Sequence, residues 1–152
     1  MYDSNANQPA DPPLTPTLRT FIVEDSPVIR ENLVATLEEI LPLEVVGTAE
    51  NEVAAVAWLA DLRNGCELAI IDVFLKKGTG IGVLKSLRRI ERPLKLVVLT
   101  NFATPDIRRT CLALGADRVF DKSHDIDALL RYCARLAAGD AADSVPAAID
   151  AV

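Results

Sequence analysis

Five short apolar runs, each followed by a stretch of helical period, constrain this chain more than any other feature of its sequence. The runs are TFIV (20–23), LEVVGTA (43–49), LAIID (68–72), LKLVVLT (94–100) and RVFD (118–121). The helical patterns lie over Val28 to Leu41, Val53 to Arg63, Gly80 to Arg89, Pro105 to Leu114 and Ile126 to Leu136. Strands alternating with helices of this length predict right-handed crossovers and a parallel sheet. The runs are continuously apolar rather than alternating, as strands buried on both faces are. The expected class is therefore α/β, a five-stranded parallel sheet with helices on both faces.

Local punctuation agrees with that pattern. Ser26 or Asp25 can cap a helix that has Pro27 in its first turn, Thr104 and Pro105 repeat the device, and Gly115 follows CLAL as a C-terminal glycine. Outside the periodic stretch the composition changes. Residues 1–17 combine four prolines with polar residues, a composition that does not repay ordering entropy, so a disordered leader is expected. Residues 139–152 are small and acidic and are expected to form a flexible tail, which leaves 18–138 as one domain.

Charge and cysteine use narrow the function. A net charge of -6 with no basic stripe gives no basis for the phosphate contacts that dominate nucleic-acid affinity, so direct DNA binding is not expected. No apolar run approaches the roughly 20 residues of a membrane span, and no basic-then-apolar signal start is present; a cytoplasmic protein is expected. Cys66, Cys111 and Cys133 are odd in number and set among apolar neighbours, which suits core packing rather than a disulfide or metal frame.

The polar residues of interest collect where strands end. Glu24 and Asp25 follow the first run, Asp72 closes the third, Thr100 closes the fourth, and Lys122 follows the fifth. In an open parallel sheet these carboxyl ends form one edge, where ligands bind. Taken singly, each has an ordinary role: a helix cap, a loop acid, a turn hydroxyl or a solvated charge. Taken together, three carboxylates call for a cation, and oxygen ligands without His or Cys favour a hard one, Mg²⁺. A carboxylate beside Mg²⁺ can attack phosphorus, while a lysine and a hydroxyl hold the phosphoryl oxygens.

These residues resemble the receiver domain of bacterial two-component response regulators, over about Leu18 to Ala138. VEDSPVIR resembles that family's acidic pair and first helix, IIDVFLKKGTG its phosphoacceptor strand and loop, VVLTN its switch-threonine strand, and ALGADRVFDKS the turn leading to its lysine. The resemblance implies a flavodoxin-like (βα)5 receiver fold, and since the tail is too short for a second folded domain, a stand-alone, chemotaxis-regulator-like switch or a phosphate-relay intermediate is expected. It implies Asp72 as phosphoacceptor, with Glu24, Asp25, Asp72 and the carbonyl of Phe74 holding Mg²⁺. Thr100 would bind the phosphoryl group and Lys122 would pair with its oxygens. The donor would be a histidine kinase or histidine phosphotransfer protein, and output would pass to a downstream protein by binding, without enzymatic turnover.

Several positions depart from the family pattern. Lys76 and Ser123 stand where proline is frequent, and Val119 occupies the usual aromatic switch position, with Phe120 one place later and so on the opposite strand face. Phe74 and Phe102, two residues beyond the acceptor and the threonine, are expected to border the pocket and shield it from water. His124 is expected to be solvated or capping. Two alternatives stand beside the switch reading: a pseudo-receiver used as a constitutive interaction module, and a Mg²⁺-dependent phosphohydrolase, for which neither a DxD pair nor a Walker-type glycine loop is present.

Overall fold

The computed structural model describes residues 17–139. The expected leader and tail therefore lie outside the described residues, apart from Thr17 and Gly139. Five strands, β1 (Leu18–Val23), β2 (Leu43–Ala49), β3 (Leu68–Ile71), β4 (Lys95–Thr100) and β5 (Arg118–Asp121), alternate with five helices. These are α1 (Pro27–Ile40), α2 (Glu52–Ala60), α3 (Gly80–Ile90), α4 (Pro105–Ala113) and α5 (Ile126–Ala137). Every pairing is parallel, in the order β2-β1-β3-β4-β5, the doubly wound sheet of a flavodoxin-like receiver fold.

Alternation along each strand divides the core into two layers. Phe21, Val23, Ala69, Ile71, Val98 and Val119 meet the buried sides of α2, α3 and α4. Ile22, Leu68, Ile70, Val97, Leu99 and Phe120 meet Leu37 of α1 and Leu129, Tyr132 and Cys133 of α5. The Val, Leu, Ile and Phe side chains among these each contribute about 1.5–3 kcal/mol when fully removed from water. In the first layer Phe21 stacks on Trp58 with ring centroids 4.2 Å apart. Gly47 makes room for that indole, since a β-carbon there would lie 2.7 Å from Trp58 Cε2. Cys111 and Cys133 are buried and Cys66 is partly buried, and burial raises all three thiols, Cys133 to about 12, as suits packing rather than reactivity.

Helix starts follow side-chain caps: Ser26, Asn51, Thr79 and Thr104 each accept a hydrogen bond from the backbone N–H three residues on. Gly115, at φ 106°, turns the chain out of α4 in a conformation that side chains resist. One expected boundary is corrected. The pattern suggested helix to Arg63, but α2 stops at Ala60. Asp61 turns its carboxylate onto the N–H of Arg63, while Asn64 Nδ2 and Arg92 donate to the carbonyls of Trp58 and Leu59, satisfying groups that a further turn would have used. Among the described residues no helix is long and apolar enough to cross a membrane.

Candidate functional site

The three acids sit just beyond their strands, Glu24 and Asp72 by one residue and Asp25 by two. The Glu24 N–H donates to the Ala49 carbonyl at 3.0 Å and the Asp72 N–H to the Val23 carbonyl at 3.0 Å, so the sheet's own bonding continues into the site. Glu24 and Asp72 are buried, and Asp25 is half-buried. One carboxylate oxygen from each of Glu24, Asp25 and Asp72 lies within 4.8 Å of the others, the one such group of potential metal ligands among the described residues. The donor set is entirely oxygen, as Mg²⁺ requires.

Lys122 enters from the end of β5. Its Nζ donates to Glu24 Oε1 at 2.6 Å and to Asp72 Oδ2 at 2.8 Å. Burial opposes the ammonium charge, but the hydrogen bonds to Asp72 and Glu24 outweigh it and hold Lys122 above its ordinary pKa. The other Glu24 oxygen accepts the Ser26 N–H at 3.1 Å, and the Glu24 carbonyl accepts Arg30 at 2.9 Å. Asp25 accepts the Lys76 N–H at 2.7 Å, which ties the β3–α3 loop to the first-strand acids.

Gly80 explains how that loop can close so tightly. Its N–H donates to the Val73 carbonyl at 2.8 Å, and a β-carbon at position 80 would lie 2.2 Å from the Asp72 carbonyl. Glu52 braces the same loop from α2, accepting the Thr79 N–H at 2.9 Å.

On the other side, Thr100 is fully buried and its Oγ1 accepts the Phe102 N–H at 3.2 Å, while the Lys122 N–H donates to the Thr100 carbonyl at 2.9 Å. The backbone of Phe74 pairs with Thr79 in an isolated antiparallel bridge. The rings of Phe74 and Phe102 meet edge to face, with centroids 5.0 Å apart, and remain 48% and 57% exposed. Phe120 packs on the far face of the sheet, 6.1 Å from the Tyr132 ring, whereas the small Val119 shares the layer of Val98. His124 is solvated, with its Nδ1 3.3 Å from Asp121 Oδ1. An apolar groove of about 400 Å³, lined by Ile29, Leu33, Leu99, Asn101, Lys122 and Ile126, opens between α1 and α5 beside the lysine.

The structure thus brings Glu24, Asp25, Asp72, Thr100 and Lys122 to one sheet edge, as their places in the sequence suggested. Sequence reasoning missed Glu52, Arg30 and Arg108, whose long side chains reach backbone groups of other segments; no residue spacing marks such contacts.

A parallel five-stranded sheet with three acids, a hydroxyl and a lysine gathered at its carboxyl edge defines a receiver-type architecture. The family model for the response regulator receiver domain matches residues 20–134, and the chain belongs to that family, the receiver domain of two-component response regulators. It is similar to the DNA-binding transcriptional activator DevR/DosR of Mycobacterium tuberculosis, with 29% identity over 99 residues, covering 65% of this chain and 45% of the relative. It is also similar to the protein-glutamate methylesterase/protein-glutamine glutaminase 1 of Pseudomonas savastanoi, with 29% identity over 102 residues, 67% of this chain and 28% of the relative. The chain therefore spans less than half the length of either relative. Among solved structures, the isolated REC domain of RcsB from Salmonella enterica serovar Typhimurium, in the presence of phosphomimetic BeF3-, superimposes with a TM-score of 0.70 at 26% identity, covering 82% of this chain and 91% of that one. Phosphorylation and Mg²⁺ binding are general features of this family.

Proposed function

We propose that the chain is a phosphorylation-switched regulator whose acceptor is Asp72. The observation that carries this reading is the pairing of a buried Asp72 carboxylate with Lys122, inside a cluster of three carboxylates that one ammonium cannot neutralise. A bound Mg²⁺ would supply the missing charge and screen the incoming phosphoryl oxygens. Asp25, Asp72 and the Phe74 carbonyl would hold it, with Glu24 acting directly or through water.

An Asp72 carboxylate oxygen attacks the phosphorus of a phosphohistidine. The new O–P bond forms as the P–N bond breaks, and the imidazole nitrogen leaves with the electron pair. Lys122 carries three donors, of which two serve Glu24 and Asp72, so one is available to a phosphoryl oxygen. Thr100 Oγ1 accepts from Phe102 and keeps its own proton to donate. The donor is a histidine kinase or histidine phosphotransfer protein, for which the apolar groove between α1 and α5 offers a seat adjoining Lys122. Output passes to another cytoplasmic protein by binding.

Incubation with Mg²⁺ and acetyl phosphate, followed by intact mass measurement, tests the assignment. One added phosphoryl group is expected in the native chain and none in Asp72→Asn. Uptake by the substituted chain would mean that another residue is the acceptor.

A further inference from the structure

Arg108 lies on α4, outside the acidic cluster, yet its guanidinium reaches three separate segments. Its Nε donates to the Ala103 carbonyl at 3.1 Å, in the loop that follows Thr100. One terminal nitrogen donates to the Val119 carbonyl of β5 at 2.9 Å. The other meets Asp125 Oδ2 at 3.4 Å, in the turn that follows Lys122. That same Asp125 oxygen accepts the Asp121 N–H at 2.9 Å, so the last contact reaches the backbone next to the lysine.

A local capping role would need only acceptors near α4. Here the acceptors are held by the β4–α4 loop, by β5 and by the β5–α5 turn, and the planar five-donor fork of arginine is the side chain able to span them. Val119 is too small to bridge these segments itself, and Phe120 is committed to the opposite face.

We propose that Arg108 is a positioning residue that clasps the Thr100–Phe102 loop to the Lys122 turn, so that movement of one is carried to the other. The clasp deepens the phosphoryl-site reading of Asp72, and it rests on that reading only where a phosphoryl group is invoked.

Amide hydrogen exchange on the ligand-free full chain tests the clasp without any ligand. In Arg108→Gln the amides of Phe102, Asp121 and Ser123 should exchange faster together, on the order of tenfold, as expected when hydrogen bonds from a charged group are lost. Arg108→Lys should restore protection in at most one of the two segments, because one ammonium nitrogen cannot occupy the three separate positions from which the guanidinium nitrogens reach Ala103, Val119 and Asp125. Asp125→Asn keeps the arginine and should loosen both segments by a smaller factor. Faster exchange in only one segment, or in neither, overturns the clasp.

Mg²⁺ with beryllofluoride, a phosphoryl mimic, then tests transmission. The native chain should show amide shifts at 100–104 and at 121–125, and Arg108→Gln at 100–104 alone. A full response of the turn in Arg108→Gln overturns the coupling. A native chain that does not respond overturns the Asp72 reading, and the clasp is then decided by the ligand-free exchange.

Discussion

The two halves of the site are held together in different ways. Around Asp72 the groups are buried and multiply bonded: Glu24 alone takes the Lys122 ammonium and the Ser26 amide, while its carbonyl takes Arg30. Beyond Thr100, itself fully buried, the loop carries the half-exposed Phe102, whose ring meets Phe74, and the loop's Ala103 carbonyl is held by the guanidinium of Arg108. The first half is over-determined, which suits the proposed acceptor site, where a fixed charge geometry has to be held. The loop of the second half is more open, with Asn101, Phe102 and Thr104 exposed, and exposed loops are where local opening costs least. The division follows from the sheet, since the acids extend strands β1 and β3 at its centre while Phe102 lies on a loop beyond the end of β4.

Breaking the over-determined half should cost most. Lys122→Ala leaves buried carboxylates without their ammonium and should lower unfolding stability by about 3 kcal/mol in urea, with part of the loss recovered on adding Mg²⁺. A loss below about 1 kcal/mol would show that the acids do not depend on this lysine. The pH dependence is fixed in sign. Because folding raises the Lys122 pKa, its contribution is complete below the ordinary lysine range and is lost only as pH climbs through the raised folded value. Stability from this group should therefore be flat through neutral pH and fall only in strong alkali.

Asp25→Asn tests the same half more gently. It should weaken Mg²⁺ affinity and phosphotransfer together, by roughly ten- to a hundredfold, in a metal titration paired with acetyl phosphate labelling. Unchanged metal affinity would remove Asp25 from the ligand set.

The more exposed half should instead govern how long a phosphoryl group on Asp72 lasts. Phe74→Asn combined with Phe102→Glu replaces two apolar rings by groups that can orient water, and should shorten the phosphorylated lifetime about tenfold, or about 1.4 kcal/mol of barrier. Equal lifetimes by intact mass would mean that the rings pack only on each other. Thr100→Ala is the mildest change. It should cost about 1 kcal/mol or less of stability, leave phosphorylation of Asp72 in place, and reduce the phosphorylation-dependent part of partner binding. Undiminished partner binding would place the switch outside the threonine.

Much of this division can be read in the chain itself. Continuous apolar runs such as LAII imply a sheet buried on both faces, and the parity of Val119 and Phe120 settles which of them faces the Thr100 layer. The meeting of Lys122 with Glu24, 98 residues apart, follows from strand topology once the sheet is parallel. What cannot be read is carried by long side chains onto carbonyl oxygens. Arg108 and Arg92 look like solvated charges in the sequence, because any residue supplies the carbonyls they hold. The end of α2 was obscure for the same reason: the apolar period runs on, and only the turn at Asp61 and Asn64 stops it.

The position of Lys122 has a consequence for how the molecule is made. Ribosomal synthesis delivers Glu24, Asp25 and Asp72 well before their ammonium, and β5, which leads to it, is an edge strand that among the described residues pairs with β4. A nascent chain that has emerged as far as β4 can pair four strands, yet its three acids still repel one another with no lysine among them. The 98-residue closure from Glu24 to Lys122 is a strongly non-local contact, of the kind whose loop entropy must be met before the contact rewards it. On the proposed reading of Asp72 as acceptor, the site is complete only once β5 has docked, so a chain halted before that strand lacks the lysine that would hold the phosphoryl group.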